Sequence, residues 1–181
     1  MNNTNGFNRR NFCKLLGLGA AAMPFASIQS ALAQTPEGER PNILWLVSED
    51  NSPMLGCYGD NLARTPNIDK LASEGILFRN CHSGAPVCAP ARCTLITGME
   101  PSAIQGALPM RSGSHMPEGA QSFPSFLKAS GYYCTNNAKT DYNIRVDMDA
   151  TWHESSNKAH YKNRRAGQPF FAVFNTANSH E

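Results

Sequence analysis

The feature that most constrains the fold is a continuous apolar run from Asn42 to Ser48. A strand that is apolar without alternation is typical of a sheet covered on both faces. Further apolar runs predict strands at Ile76–Phe78, Tyr132–Thr135 and Phe170–Phe174. Helices are predicted between them, so the sequence indicates an α/β fold with a mostly parallel sheet and helices on both faces.

Three segments have the apolar spacing and the Pro or Gly boundaries of helices. They are residues 65–75, 90–97 and 122–130. Residues 141–168 are polar and have little periodicity, which predicts a long surface loop.

The N-terminus has the pattern of an export signal. Arg9 and Arg10 precede an apolar run at 15–26, and Ala31–Ala33 supplies the small residues that a signal peptidase reads. The paired arginines resemble the twin-arginine type, so the export machinery of that pathway is an expected partner. The run is shorter than a membrane-spanning helix, which needs about 20 apolar residues. We therefore expect cleavage near Ala33, a periplasmic or secreted protein, and no stable membrane anchor.

The charges separate this leader from the remainder. Residues 1–33 hold three of the 16 Lys and Arg and none of the 14 acids, so residues 34–181 carry 13 cations against 14 acids. This balance excludes an overall basic field for nucleic acid. The predicted organisation is signal 1–33, linker 34–41 and domain 42–181. Because Glu181 closely follows a core strand, we expect that domain to be truncated.

One of the six cysteines lies in a chemically distinctive place. Cys88 opens a predicted helix and Arg92 follows one turn later. A helix N-terminus favours an anion, and the Arg guanidinium suits an oxyanion. The pattern indicates a nucleophile beside an oxyanion pocket. No Cys or His spacing suggests zinc.

Glu49 and Asp50 follow the first predicted strand directly. Open α/β sheets bind ligands at the carboxyl ends of their strands. Two carboxylates that point at one place repel each other unless a hard cation compensates their charge. An isolated Glu-Asp pair in a loop is more often simply exposed to solvent.

These residues resemble the N-terminal part of the sulfatase family, in the alkaline phosphatase superfamily. The strongest segment is Cys88–Gly98, which reads C-x-P-x-R followed by x-x-L-x-T-G. The supporting segments are Pro41–Leu44, Gly56–Gly59, Thr65–Ala72 and Gly131–Tyr133. The resemblance covers residues 41–181 and implies an alkaline-phosphatase-like sandwich, incomplete in this chain.

The resemblance implies a sulfuric ester hydrolase. A separate maturation enzyme would convert Cys88 to formylglycine, whose hydrate attacks sulfur and then releases sulfate as the aldehyde reforms. Glu49, Asp50 and the converted Cys88 would bind Ca²⁺, or Mg²⁺. Arg92 would hold the hydrated aldehyde, and Lys139 would contact sulfate. His180 would bind sulfate or protonate the leaving group.

The sequence departs from the family pattern at four points. Glu49 replaces the usual Asp, and Ala91 replaces a common Ser, which favours a radical, anaerobic maturation enzyme over the oxygen-dependent one. Residues 99–106 lack the histidine that assists release of sulfate. The further metal ligands and a second lysine lie downstream in the family and are absent here, so we expect these 181 residues alone to be poorly active and to leave apolar sheet edges open.

Three alternatives remain at this point. Relatives with the same nucleophile hydrolyse phosphodiesters or phosphonate monoesters. A truncated periplasmic fragment would be inactive and keep Cys88 as a thiol. A thiol hydrolase using Cys88 with His180 lacks an evident third orienting group. Among substrates, a sulfated polysaccharide is favoured because export fits a polymer met outside the cytoplasm.

Overall fold

The computed structural model describes residues 40–50 and 52–176. The predicted signal at 1–33, most of the linker at 34–41, and His180 lie outside the described residues. Among the described residues, no helix has the length and apolar character needed to cross a membrane.

The described chain alternates strands with helices, as the apolar runs predicted. In chain order the elements are β1 (Ile43–Ser48), α1 (Pro66–Glu74), α2 (Cys88–Thr97), β2 (Ser114–His115), α3 (Phe123–Ala129), β3 (Tyr133–Asn137), β4 (Ile144–Arg145), α4 (Met148–Thr151), β5 (Glu154–Ser155) and β6 (Phe170–Thr176). Single 3₁₀ turns lie at Gly56–Tyr58, Pro101–Ala103 and Tyr161–Asn163.

The main sheet has the order β1-β6-β3-β5, and all its pairings are parallel. β2 and β4 form a separate parallel pair. Ile43 lies opposite Phe171, and Tyr133 lies opposite Phe170, so β1, β6 and β3 end at one common edge. The mostly parallel α/β class is therefore confirmed.

The core is built around Phe171 on β6. Its ring centroid lies 5.2 Å from those of Trp45 and Phe123 and 5.7 Å from that of Trp152. The packing of aromatic rings at these distances adds to the area they bury. This cluster fixes β1, β6 and α3 against one another beneath the carboxyl edge of the sheet.

The predicted strand at Ile76–Phe78 is wrong. The segment is irregular, with Ile76 82% and Phe78 66% exposed. The carbonyl of Phe78 accepts a hydrogen bond from the Tyr58 hydroxyl at 3.0 Å, and no described strand pairs with this segment. An apolar run forms a strand only where a neighbouring strand supplies hydrogen-bond partners.

The predicted surface loop at 141–168 is also wrong. It contains β4, α4 and β5, and it buries Asn143 and Trp152. Polar contacts organise it: the Asn143 amide donates to the carbonyls of Ala107 and Pro109, and Asp147 caps α4 by accepting from the Ala150 N–H at 2.9 Å. Side-chain hydrogen bonds of this kind require no periodic spacing of apolar residues, so the periodicity of the sequence did not reveal them.

β1 is covered on one face only within the described chain. Leu44 is 48% and Leu46 70% exposed, which corrects the expectation of cover on both faces. Ile68 and Leu71 on α1 are exposed as well. β1 is the end strand of the described sheet, so this apolar face and the β1 edge are open there.

Candidate active site

The carboxyl edge of the sheet brings together side chains that are far apart in sequence. Glu49 and Asp50 directly follow β1, and Lys139 lies two residues after β3. Cys88 is the first residue of α2, and Arg92 lies one turn further along that helix. This is the edge where open parallel sheets bind ligands.

Glu49 is at the centre of this group. Arg92 Nη2 donates to Oε1 of Glu49, and Lys139 Nζ donates to Oε2. The side chains of Glu49 and Arg92 are 6% and 8% exposed, whereas that of Lys139 is 26% exposed. One buried carboxylate is therefore shared by two cations, of which only the lysine is substantially open to solvent.

The environment of Glu49 favours its charged form. Burial by itself would raise the pKa of this carboxyl. The hydrogen bonds from Lys139 and Arg92, together with their positive charges, outweigh burial and hold the pKa below its ordinary value of 4.5. The acid is thus kept ionised and able to act as an oxygen ligand.

The guanidinium of Arg92 is held at three points. Besides Glu49, Nη2 donates to Oδ1 of Asn175 at 2.8 Å, and Nη1 donates to the carbonyl of Lys139 at 3.3 Å. A planar fork bound on several sides has a fixed orientation. β1, β3 and β6 are therefore joined through one arginine of α2.

A pair of amides supports this arrangement and was missed by sequence reasoning. Asn175 Nδ2 donates to Oδ1 of Asn136 at 3.1 Å. Asn136 is 1% exposed, and its Nδ2 donates to the Lys139 carbonyl at 3.3 Å and to Ser155 Oγ at 3.1 Å. Both amides lie at carboxyl ends of strands, and that position is the signal by which they could have been found.

Cys88 lies beside the two acids. Its Sγ and one carboxylate oxygen each of Glu49 and Asp50 all lie within 4.8 Å of one another. The two carboxylates fit a hard cation, and so would an oxygen in place of the Cys88 sulfur. Calcium takes about six to eight oxygens, so these three donors could supply only part of a coordination shell for such a cation.

The structure therefore brings together Cys88, Arg92, Lys139, Glu49 and Asp50, the predicted site residues that lie within the described chain. His180 lies outside the described residues, and its predicted place in the site stays a prediction.

The described residues form a parallel α/β sheet with clustered acids, cations and a helix-initiating cysteine at its carboxyl edge. Residues 41–181 match the family model described as Sulfatase. The chain belongs to the sulfatase family, whose members are hydrolases that act on sulfuric esters.

The relatives include enzymes named for glycan substrates. An ulvan-active sulfatase of Formosa agariphila is 45% identical over 155 residues, covering 79% of this chain and 26% of that protein. Human iduronate 2-sulfatase is 40% identical over 92 residues, covering 50% and 16%. An N-acetylglucosamine-6-O-sulfatase of Bacteroides thetaiotaomicron is 34% identical over 114 residues, covering 61% and 20%. The chain thus spans about a quarter or less of these relatives' length.

Two solved structures share the fold. A protein in complex with its substrate D-glucosamine-2-N,6-O-disulfate has a TM-score of 0.65 at 23% identity, covering 78% of this chain and 35% of that one. The phosphonate monoester hydrolase of Agrobacterium radiobacter has a TM-score of 0.52 at 25% identity, covering 77% and 26%. Both similarities support the alkaline-phosphatase-like architecture.

Proposed function

We propose that the sulfatase represented by this chain hydrolyses sulfuric esters of a glycan, with Cys88 matured to formylglycine and Glu49 and Asp50 holding Ca²⁺ or Mg²⁺. The observation that supports this most is the approach of Cys88 Sγ to both carboxylates, all within 4.8 Å. The nucleophile, the metal site and the cationic side chains of Arg92 and Lys139 would then lie at one location.

Formylglycine and the cation, when present, would supply a hydrated aldehyde as nucleophile and Lewis-acid polarisation of the sulfate oxygens. The chain's own contribution is to position them. Arg92 fixes the Glu49 carboxylate and carries positive charge one helical turn from Cys88. Since Arg92 is buried and bound on several sides, it needs no rearrangement when an anion arrives.

Lys139 is suited to direct contact with substrate. Its side chain is 26% exposed, and it donates to Glu49 from the more open side of the site. A bound sulfate oxygen can take the place of one Glu49 oxygen as its acceptor. His180 is proposed to bind sulfate or to protonate the leaving group, and this role rests on the family resemblance alone.

The further parts of the proposal rest on sequence. Ala91 favours a radical, anaerobic maturation enzyme as partner, and the leader at 1–33 favours twin-arginine export to the periplasm or beyond. The glycan names of the relatives, ulvan among them, support a sulfated polysaccharide as substrate.

Mass spectrometry of the mature protein from its host tests the proposal directly. Trypsin releases the peptide Asn80–Arg92, which contains both Cys81 and Cys88. Conversion of Cys88 replaces S with O and removes two hydrogens, a shift of roughly −18 Da from the thiol. Cys81 remains alkylatable and serves as an internal standard. A peptide with two alkylated cysteines and no converted form would contradict the proposal.

A second candidate is hydrolysis of phosphonate monoesters or phosphodiesters, supported by the likeness to the Agrobacterium enzyme. Rates on matched sulfate and phosphorus esters of one phenol distinguish the two. A higher rate on the phosphorus ester would favour this candidate and leave the matured nucleophile in place.

A further inference from the structure

A basic segment begins at the sheet edge that carries the site and leads back to the start of β6. Between Ser155 and Thr176 the sequence has four Lys and Arg and no Asp or Glu, in contrast to the near balance of charge over residues 34–181. Three of the four are exposed: Lys158, Lys162 and Arg165. These three residues are called the basic strip below.

The backbone of the basic strip is held in place by its neighbours. Asn137 Nδ2 donates to the carbonyls of Asn157 at 3.1 Å and Ala159 at 3.2 Å. The Tyr161 ring stacks on Phe170, with centroids 4.5 Å apart and planes 14° apart. A partner that binds here does not have to order the chain first, which lowers the entropic cost of binding.

The neighbouring charged groups are already engaged. Arg164 Nε donates to the Gln168 carbonyl at 2.9 Å, and its guanidinium lies 4.9 Å from the Phe170 centroid. The nearby acid, Glu154, accepts from both Tyr133 and Asn163. Within residues 40–50 and 52–176, none of the salt bridges involves the basic strip.

The basic strip begins at the same edge of the sheet as the site. Asn137, which holds its first part, ends β3 and lies two residues before Lys139. From there the chain passes Tyr161 and returns to Phe170, where β6 begins. The backbone on either side of Lys158 is thus held at the end of β3, at the sheet edge that also carries Lys139.

We propose that the basic strip is a secondary binding surface for a polyanionic, multiply sulfated glycan. This rests on the proposed function and narrows its substrate class to chains with several sulfates. Exposed ammonium and guanidinium groups on a fixed backbone suit repeated sulfates, because each contact is weak and several act together.

The test is the affinity of the 181-residue protein for dextran sulfate, with uncharged dextran as blank, at several salt concentrations. The strip variant carries Lys158→Gln, Lys162→Gln and Arg165→Gln. The matched control carries Arg64→Gln, Arg79→Gln and Arg111→Gln, which removes the same charge from three exposed arginines elsewhere. Circular dichroism confirms that both variants fold as the parent does.

We expect the strip variant to lose about tenfold or more in affinity at low salt, with a shallower salt dependence, and the control to lose less than about twofold. Equal losses would show that net charge alone acts and would overturn the proposal. Tighter strip-dependent binding to single-stranded DNA than to dextran sulfate would overturn the assignment to glycan. Since no catalysis is measured, failure here is separate from failure of the Cys88 mass test.

Discussion

Arg92 and Glu49, 43 residues apart in sequence, form a buried ion pair that joins α2 to the end of β1. Because Asn175 and the Lys139 carbonyl bind the same guanidinium, the pair is a fixed element of the site. A buried pair of this kind contributes little net stability, but loss of one partner leaves a costly unpaired charge.

The first prediction concerns that loss. Arg92→Met should destabilise the protein by about 3 kcal/mol, the lower part of the range for a broken buried pair, because Lys139 still neutralises Glu49. Arg92→Lys keeps the positive charge but loses the hydrogen bond to Asn175. Its free energy of unfolding should therefore lie between that of the parent and that of Arg92→Met. Urea unfolding followed by circular dichroism measures both. A change below about 0.5 kcal/mol for Arg92→Met would place it among ordinary surface substitutions.

The second prediction is the pH dependence of this stabilisation. The folded pKa of Glu49 is below its ordinary value of 4.5. Its contribution is therefore fully present above the unfolded pKa and is lost as the pH falls through the folded pKa. The stability difference between the parent and Glu49→Gln should be constant near neutrality and shrink below pH 4.5. Unfolding free energies measured across that range provide the check, and a difference that grew on acidification would contradict the sign.

The sequence predicted individual helices and strands better than the tertiary contacts that they make. β1, α2 and β6 followed from apolar runs and helix boundaries, which are local properties. Ile76–Phe78 has the same local property, yet no described strand pairs with it. The segment 141–168 was predicted to be a surface loop because its burial depends on contacts made across the fold, such as that of Trp152 with Phe171.

The site shows the same division. Glu49 and Asp50 could be placed by their position after a strand, and Lys139 only by family resemblance. Asn136 and Asn175 were missed because a buried amide has no sequence periodicity, and its partners are fixed only when β3 and β6 pair. Hydrogen-bond networks of this kind are properties of the folded chain.

The third prediction concerns the cysteines. Burial raises the pKa of the Cys134 thiol to about 12 and also raises that of Cys93, and both residues are fully buried. Cys81 is exposed. Iodoacetamide near pH 8 should therefore modify Cys81 rapidly and the other two only after unfolding, because the thiolate is the reactive form. Time-resolved peptide mass spectrometry measures the rates, and comparable native-state rates for Cys81 and Cys134 would contradict the packing.

The fourth prediction concerns the proposed cation. A ligand that binds only the folded state stabilises it by RT ln(1 + [L]/Kd) and therefore raises the melting temperature. Millimolar Ca²⁺ should stabilise the parent slightly relative to chelator, because three donors bind weakly, and Asp50→Asn should abolish the shift. Glu118→Gln removes an exposed acid remote in sequence from the site and should leave the shift unchanged. Equal shifts in parent and Asp50→Asn, measured by calorimetry, would remove Asp50 from the ligand set.

The fifth prediction concerns the contact between two motifs shared with the family, Gly56–Gly59 and Thr65–Ala72. Gly56 N–H donates to Thr65 Oγ1 at 2.9 Å, and Cys57 N–H donates to Asp69 Oδ1 at 2.7 Å, so the two segments bind each other. A Cβ at position 56 would lie 2.5 Å from Asp69 Oδ2. The Asp69 carboxylate cannot move away without losing its bonds to Cys57 and Thr65. Gly56→Ala should therefore cost about 1–3 kcal/mol.

A double-mutant cycle separates this clash from the general effect of replacing a glycine. In the Asp69→Ala background the carboxylate is gone, so the added cost of Gly56→Ala should fall to a few tenths of a kcal/mol. Denaturant unfolding of the four proteins gives the coupling energy. If Gly56→Ala cost the same in both backgrounds, the close approach to Asp69 would not be what requires glycine at this position.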